Sequence, residues 1–126
     1  MKETMYNEKG GQMRKIPIIY SSKYNISFMG FEVFISFDVK KFKKIYKTLK
    51  KELSLNPTQF YEPCKIRNDE LLLVHSKDYL KSLRKSSVIA QIVEIPILKY
   101  IPNVILYKGI IQPMEYALKG TVMGME

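Results

Sequence analysis

Hydrolysis at a metal needs three or more histidine, cysteine or carboxylate donors converging on one ion. This sequence carries one histidine, His75, and one cysteine, Cys64. A nucleophilic Cys64–His75 dyad would need a third group to orient the base, and none is evident; Cys64 also follows Pro63 in an edge-like segment. His75 comes after an apolar run and reads as a packed, hydrogen-bonded histidine. Gly10-Gly11 has no strand before it and no GK[ST] after it, so it is not a phosphate loop. The stretch between Gly120 and Gly124 lacks the dinucleotide fingerprint as well. Tyr20, Tyr24, Tyr61 and Tyr79 form no stacking motif of the RNA-binding kind. The residues themselves therefore predict no catalytic group and no metal ligand.

The elements that would position any chemistry fit one ordinary domain or a piece of a larger one, at 126 residues and 14.8 kDa. Apolar residues are 46% and charged residues 26%, which excludes wholesale disorder. The lone cysteine excludes an intrachain disulfide and suits a reducing, intracellular compartment, cytoplasmic or nuclear. The net charge of +9 comes mostly from lysine, with arginine only at positions 14, 67 and 84. Specific nucleic-acid readers favour the planar arginine fork, so the excess reads as a solvated surface and not a nucleic-acid site. No apolar run reaches the roughly 18 residues of a membrane span.

Residues 1–15 are polar and read as a flexible leader, leaving 16–126 as the folded portion. A β-branched run at 16–20 predicts a buried strand with Pro17 near its start. Residues 26–36 are apolar but aperiodic and predict a packed loop around Gly30. Phe42, Ile45, Tyr46, Leu49 and Leu53 then recur at helical spacing, with Ser36 or Asp38 as the cap and lysines on the other faces. A short strand is expected within 60–66. Short helices are expected after caps at Asn68, Ser76 and Ser87. Residues 95–102 form a proline-punctuated connector, 103–111 fit helix or strand equally, and 113–123 begin a helix that Gly120 and Gly124 weaken.

The segment 17–32, PIIYSSKYNISFMGFE, resembles the opening of class IV histone deacetylases. The resemblance continues in order. Phe37-Asp38 with Lys41 resembles the start of their first helix, and residues 69–80, DELLLVHSKDYL, resemble their helix pair with its histidine and tyrosine. Glu94-Ile95-Pro96, Leu98, Pro102-Asn103, Gln112-Pro113-Met114 and Gly120-Thr121-Val122-Met123 follow in register.

The resemblance implies an α/β fold of the arginase/deacetylase type, here a partial one. One or two short parallel strands with several flanking helices would stop before the catalytic core. It implies zinc-dependent hydrolysis of acyl-lysine amides for the family, with an acyl-lysine protein as substrate. It places Tyr24, Asn25, Phe28, Gly30, Phe31 and Glu32 in a loop near the acyl tunnel, and gives His75 and Tyr79 structural roles. The sequence stops before the family's paired histidines and its Asp/His/Asp zinc ligands, so neither zinc binding nor activity is expected of this chain alone. Ile35-Ser36 stand where class IV members have His-Pro. The alternative reading is a non-catalytic, deacetylase-like module that binds a protein partner. A few strands cut from a parallel sheet would expose edges and apolar faces, so marginal stability or self-association is expected.

Overall fold

The computed structural model describes residues 16–27, 29–30, 33, 38–52 and 57–126. Two short strands, β1 (Ile18–Ile19) and β2 (Phe60–Tyr61), pair in parallel with Ile18 opposite Phe60 and Ile19 opposite Tyr61. Tyr20 N–H extends the ladder by donating to Tyr61 C=O at 3.0 Å. Between the strands in sequence lies α1 (Lys41–Glu52), as a parallel pair requires of its connection. Asp38 starts α1: its Oδ1 accepts from Lys40 N–H at 3.0 Å and its Oδ2 pairs with Lys44 at 2.6 Å.

Aromatic rings hold α1 to the strands. Tyr46 stacks on Tyr20 with centroids 4.1 Å apart and meets Phe60 edge-on, while Phe42 meets Tyr24 edge-on. Such pairs are worth about 0.5–1.5 kcal/mol each beyond their buried area. The lysines of α1 face solvent, as its periodicity predicts, yet Phe42 and Ile45 stay 41% and 53% exposed. Its apolar stripe is thus only partly covered. Ser36 and Leu53 lie outside the described residues.

After β2 the described chain is mostly helical, with α2 (Asn68–Leu71), α3 (Lys77–Ser82), α4 (Ser86–Ile92), a 3-10 turn (Pro96–Tyr100), α5 (Asn103–Leu106) and α6 (Gln112–Met125). The core gathers Ile89, Ala90, Leu98, Leu106, Ile110 and Ile111. Ser76 caps α3 as expected, its Oγ accepting from Tyr79 N–H at 3.2 Å.

Two expected caps are corrected. Asn68 is the first helical residue of α2, and the start is closed by Glu70 Oε2 accepting from Arg67 N–H at 2.9 Å. Helix α4 begins at Ser86, one residue before the expected cap at Ser87. Ser86 is 3% exposed; its Oγ donates to Ile101 C=O, and its N–H donates to Asn103 Oδ1 at 2.8 Å. A buried hydroxyl with these partners ties the start of α4 to the start of α5, which an exposed Ser87 could not do.

Residues 103–111 are helical, not strand. Helix α5 runs through one π turn (Tyr107–Ile111) into α6 without a break, and Gln112 N–H donates to Tyr107 C=O. Pro113 explains part of this. Without an N–H it cannot donate to the carbonyl four residues earlier, that of Gly109. Ser27 N–H supplies the missing donor at 3.0 Å. The described chain is mostly helical around a two-stranded parallel sheet, an α/β arrangement.

Candidate functional site

The loop expected near the acyl tunnel starts directly after β1. Ser21 is 1% exposed and opens a 3-10 turn (Ser22–Tyr24). Its Oγ accepts from Lys23 N–H at 3.1 Å and donates to Glu62 Oε1 at 2.9 Å, binding the loop to the residue after β2. Tyr24 is buried, its ring edge-on to Tyr20 and Phe42, with its hydroxyl against α6 at Gly120. Burial, and secondarily the Glu62 carboxylate, push the Tyr24 phenol above its ordinary value. Asn25 Nδ2 donates to Ser22 C=O at 2.8 Å, while its Oδ1 is buried without a hydrogen-bond partner. Ser27 closes this base on Gly109.

Beyond the base, Met29 and Gly30 turn the chain with φ of 56° and 85° and are exposed. Met29 accepts a left-handed backbone that glycine adopts far more easily. Of the six loop residues expected from the resemblance, Tyr24, Asn25 and Gly30 are described; Phe28, Phe31 and Glu32 lie outside the described residues. So does Ile35-Ser36.

A second feature lies on the other side of α6. A cleft of about 420 Å³ opens between α2–α3 and the α5–α6 helix, reached by His75 and Tyr79. His75 is exposed, its ring 5.0 Å from that of Tyr79, where a packed, hydrogen-bonded histidine was expected; that expectation is corrected. Helix α2 ends at Leu71, and the turn that follows carries His75 out to solvent. One wall of the cleft is a polar cluster. Glu115 is 9% exposed, accepts from the Tyr107 hydroxyl at 2.8 Å and pairs with Lys65 at 2.8 Å. The Arg84 guanidinium lies over the Tyr107 ring at 4.6 Å. Hydrogen bonding to Glu115 raises the Lys65 ammonium above its ordinary value. Burial first, and then Glu115, raise the Tyr107 phenol.

Sequence reasoning missed the Ser21–Glu62 contact, the π turn between Gly109 and Pro113 with its Ser27 donor, and the Glu115 cluster. Only Pro113 carried a local signal, a proline four residues after a glycine inside an apolar run. The other contacts join residues far apart in sequence.

Among the described residues no three histidine, cysteine or carboxylate side chains converge to hold a metal ion. Cys64 is exposed and unbridged. The described residues therefore do not fit a zinc centre, and no catalytic step is assigned through one. None of the described helices is long and apolar enough to cross a membrane.

No protein-family model matches the chain, and no solved structure matches it. Histone deacetylase 2 of Arabidopsis thaliana is 35% identical over 111 residues, which covers 88% of this chain. The chain spans 29% of the length of that relative. Over those 111 residues this chain is histone deacetylase-like.

Proposed function

We propose that the chain is the N-terminal scaffold portion of a class IV lysine deacylase of the arginase/deacetylase fold. It supplies the first strand and one side of the acyl tunnel, and it is inactive without the remainder of the domain. The observation that carries the reading is the loop base between Ser21 and Ser27. It is fixed at Glu62, Gly120 and Gly109, three points drawn from β2's end and the α5–α6 helix. A loop that must border a substrate channel needs a rigid base, because a small misplacement of a lining group lowers the rate steeply.

In this reading Tyr24 and Asn25 are positioning residues. Tyr24 fixes the loop against α6, and Asn25 braces the 3-10 turn, while the exposed turn at Met29-Gly30 extends beyond that base. A zinc ion, which would polarise the carbonyl and activate water, would have to be held by residues other than the described ones. The site of action is intracellular, and the substrate is an acyl-lysine protein.

The test is a chimera of the Arabidopsis relative in which the matched segment is replaced by residues 16–126 of this chain. Acetyl-lysine and myristoyl-lysine peptides serve as substrates. A folded chimera that hydrolyses either supports the scaffold role; a folded chimera with no activity overturns it. Zinc-dependent release of either acyl group by the 126-residue chain alone overturns the claim of inactivity.

A further inference from the structure

The cleft beside α6 is lined on one side by Leu71, Leu80 and Leu83 and on the other by Ile111, Met114 and Leu118. Several apolar lining residues remain well exposed: Leu72 39%, Ile92 47%, Met114 42% and Leu118 41%. Lining the same cleft are Lys77, Lys81 and Arg84. Among the described residues none of these three cations has a carboxylate partner. Of the carboxylates nearby, Glu115 is engaged by Lys65 and Tyr107, Glu70 by Lys119 and Asp69 by Arg67; Asp78, on α3 between Lys77 and Lys81, makes no ion pair among the described residues but does not line the cleft. The result is an apolar trough whose edge, three cations against the one free carboxylate of Asp78, carries net positive charge.

We propose that this cleft docks an acidic amphipathic helix of a partner protein. Such a helix presents apolar residues at i, i+3, i+4 and i+7 to the trough. Its flanking aspartates and glutamates meet Lys77, Lys81 and Arg84. A second copy of the chain fits the cleft poorly. The chain carries +9, and its most amphipathic helix, α1, is edged by lysines, the wrong sign for this rim. Opposite charge across an interface speeds encounter and rejects like-charged partners, so charge selects the occupant here. The inference does not depend on the deacylase reading.

The test uses a fluorescein-labelled helical peptide of about 18 residues, five turns, with a leucine stripe and glutamates elsewhere. One control replaces its glutamates by lysine; another keeps the composition and scrambles the stripe. Fluorescence anisotropy at physiological salt is expected to show the acidic amphipathic peptide binding about tenfold or more tighter than either control. K77E/K81E, both at exposed positions, is expected to lose about tenfold in affinity with an unchanged circular dichroism spectrum. L118E is expected to lose it too. Equal binding of the lysine peptide, or full affinity in K77E/K81E, overturns the proposal. So does a dimer of the chain, seen by light scattering, that L118E dissociates. If the sequence continues past Glu126 and the longer protein refuses the peptide, that overturns it as well.

Discussion

Gly120 and Gly124 sit in the same helix, and replacing each by alanine is expected to move stability in opposite directions. A Cβ on Gly120 would fall almost on the Tyr24 hydroxyl, 3.1 Å from Tyr24 Cζ and 3.3 Å from Ile19 Cγ2. The ring cannot simply swing away, because Tyr20 and Phe42 meet it edge-on. Overpacking of this kind costs about 1–3 kcal/mol. Alanine returns about 1 kcal/mol of helix propensity. With the ring wedged, the upper half of the overpacking range applies, so G120A is expected to destabilise by roughly 1–2 kcal/mol. A Cβ on Gly124 meets only Ile19 Cδ1 at 3.5 Å, ordinary contact. G124A is therefore expected to stabilise, by about 0.5 kcal/mol so near the helix end. Urea unfolding followed by far-UV circular dichroism measures both. The Y24F background removes the hydroxyl and should recover part of the G120A loss, a coupling of about 1 kcal/mol in the double-mutant cycle. A G120A chain as stable as G124A would refute the placement of the loop base on α6.

S86A removes the donor to Ile101 C=O and leaves that carbonyl without its partner, so a loss of about 1–2 kcal/mol in urea unfolding is expected. Glu70 accepts from Lys119 at 2.6 Å and from Arg67 N–H, and Lys119 chiefly holds its carboxyl below the ordinary value of 4.5. A depressed folded pKa means the contribution is present above pH 4.5 and is lost as pH falls through the lower value. The urea midpoint of the native chain should therefore fall on acidification through that window more steeply than that of E70Q; parallel curves would rule the pair out as a source of acid lability. Tyr24 and Tyr107 have raised phenols, so ultraviolet difference titration of the nine tyrosines should leave a fraction ionising late, and Y107F should remove part of it.

What the sequence made legible follows from how local each signal is. The lysine-edged stripe of α1 and the Ser76 cap are patterns within one helix or turn, and each appears where its spacing puts it; the run 16–20 pairs as a strand only at Ile18–Ile19, half-buried and not buried as expected, with Ile16 exposed. The choice between Ser86 and Ser87 was not legible, because it depends on Ile101 and Asn103 beyond the next helix. The undecided stretch 103–111 resolves as helix for a similar reason. Its apolar residues are needed on two sides, against α4 and against the loop base, so no single period stands out. His75 was expected to be packed because an apolar run precedes it, whereas Leu73 and Val74 in that run are themselves 83% and 77% exposed.

That exposure bears on the scaffold reading. Parallel strands are stable when both faces are covered and their neighbours are present. Here, among the described residues, two strands of two residues stand with no further neighbour, and the large side chains of Leu73, Val74, Ile97, Tyr100 and Val104 face outward. A chain that fixes the Ser21–Ser27 loop base at Glu62, Gly120 and Gly109, yet leaves these surfaces open, has order concentrated at that base. Its apolar surface lies where further protein would pack. The two observations point the same way: the Ser21–Glu62 and Tyr24–Gly120 contacts hold the loop base within the chain, while the open surfaces are left for other protein to cover. In the scaffold reading, adding the rest of a deacetylase domain should therefore protect Leu73 and Val74 from hydrogen exchange and leave the exchange of Ser27, already bonded to Gly109, nearly unchanged. If Ser27 instead exchanges freely until the partner is added, the loop base is built by assembly and not by this chain.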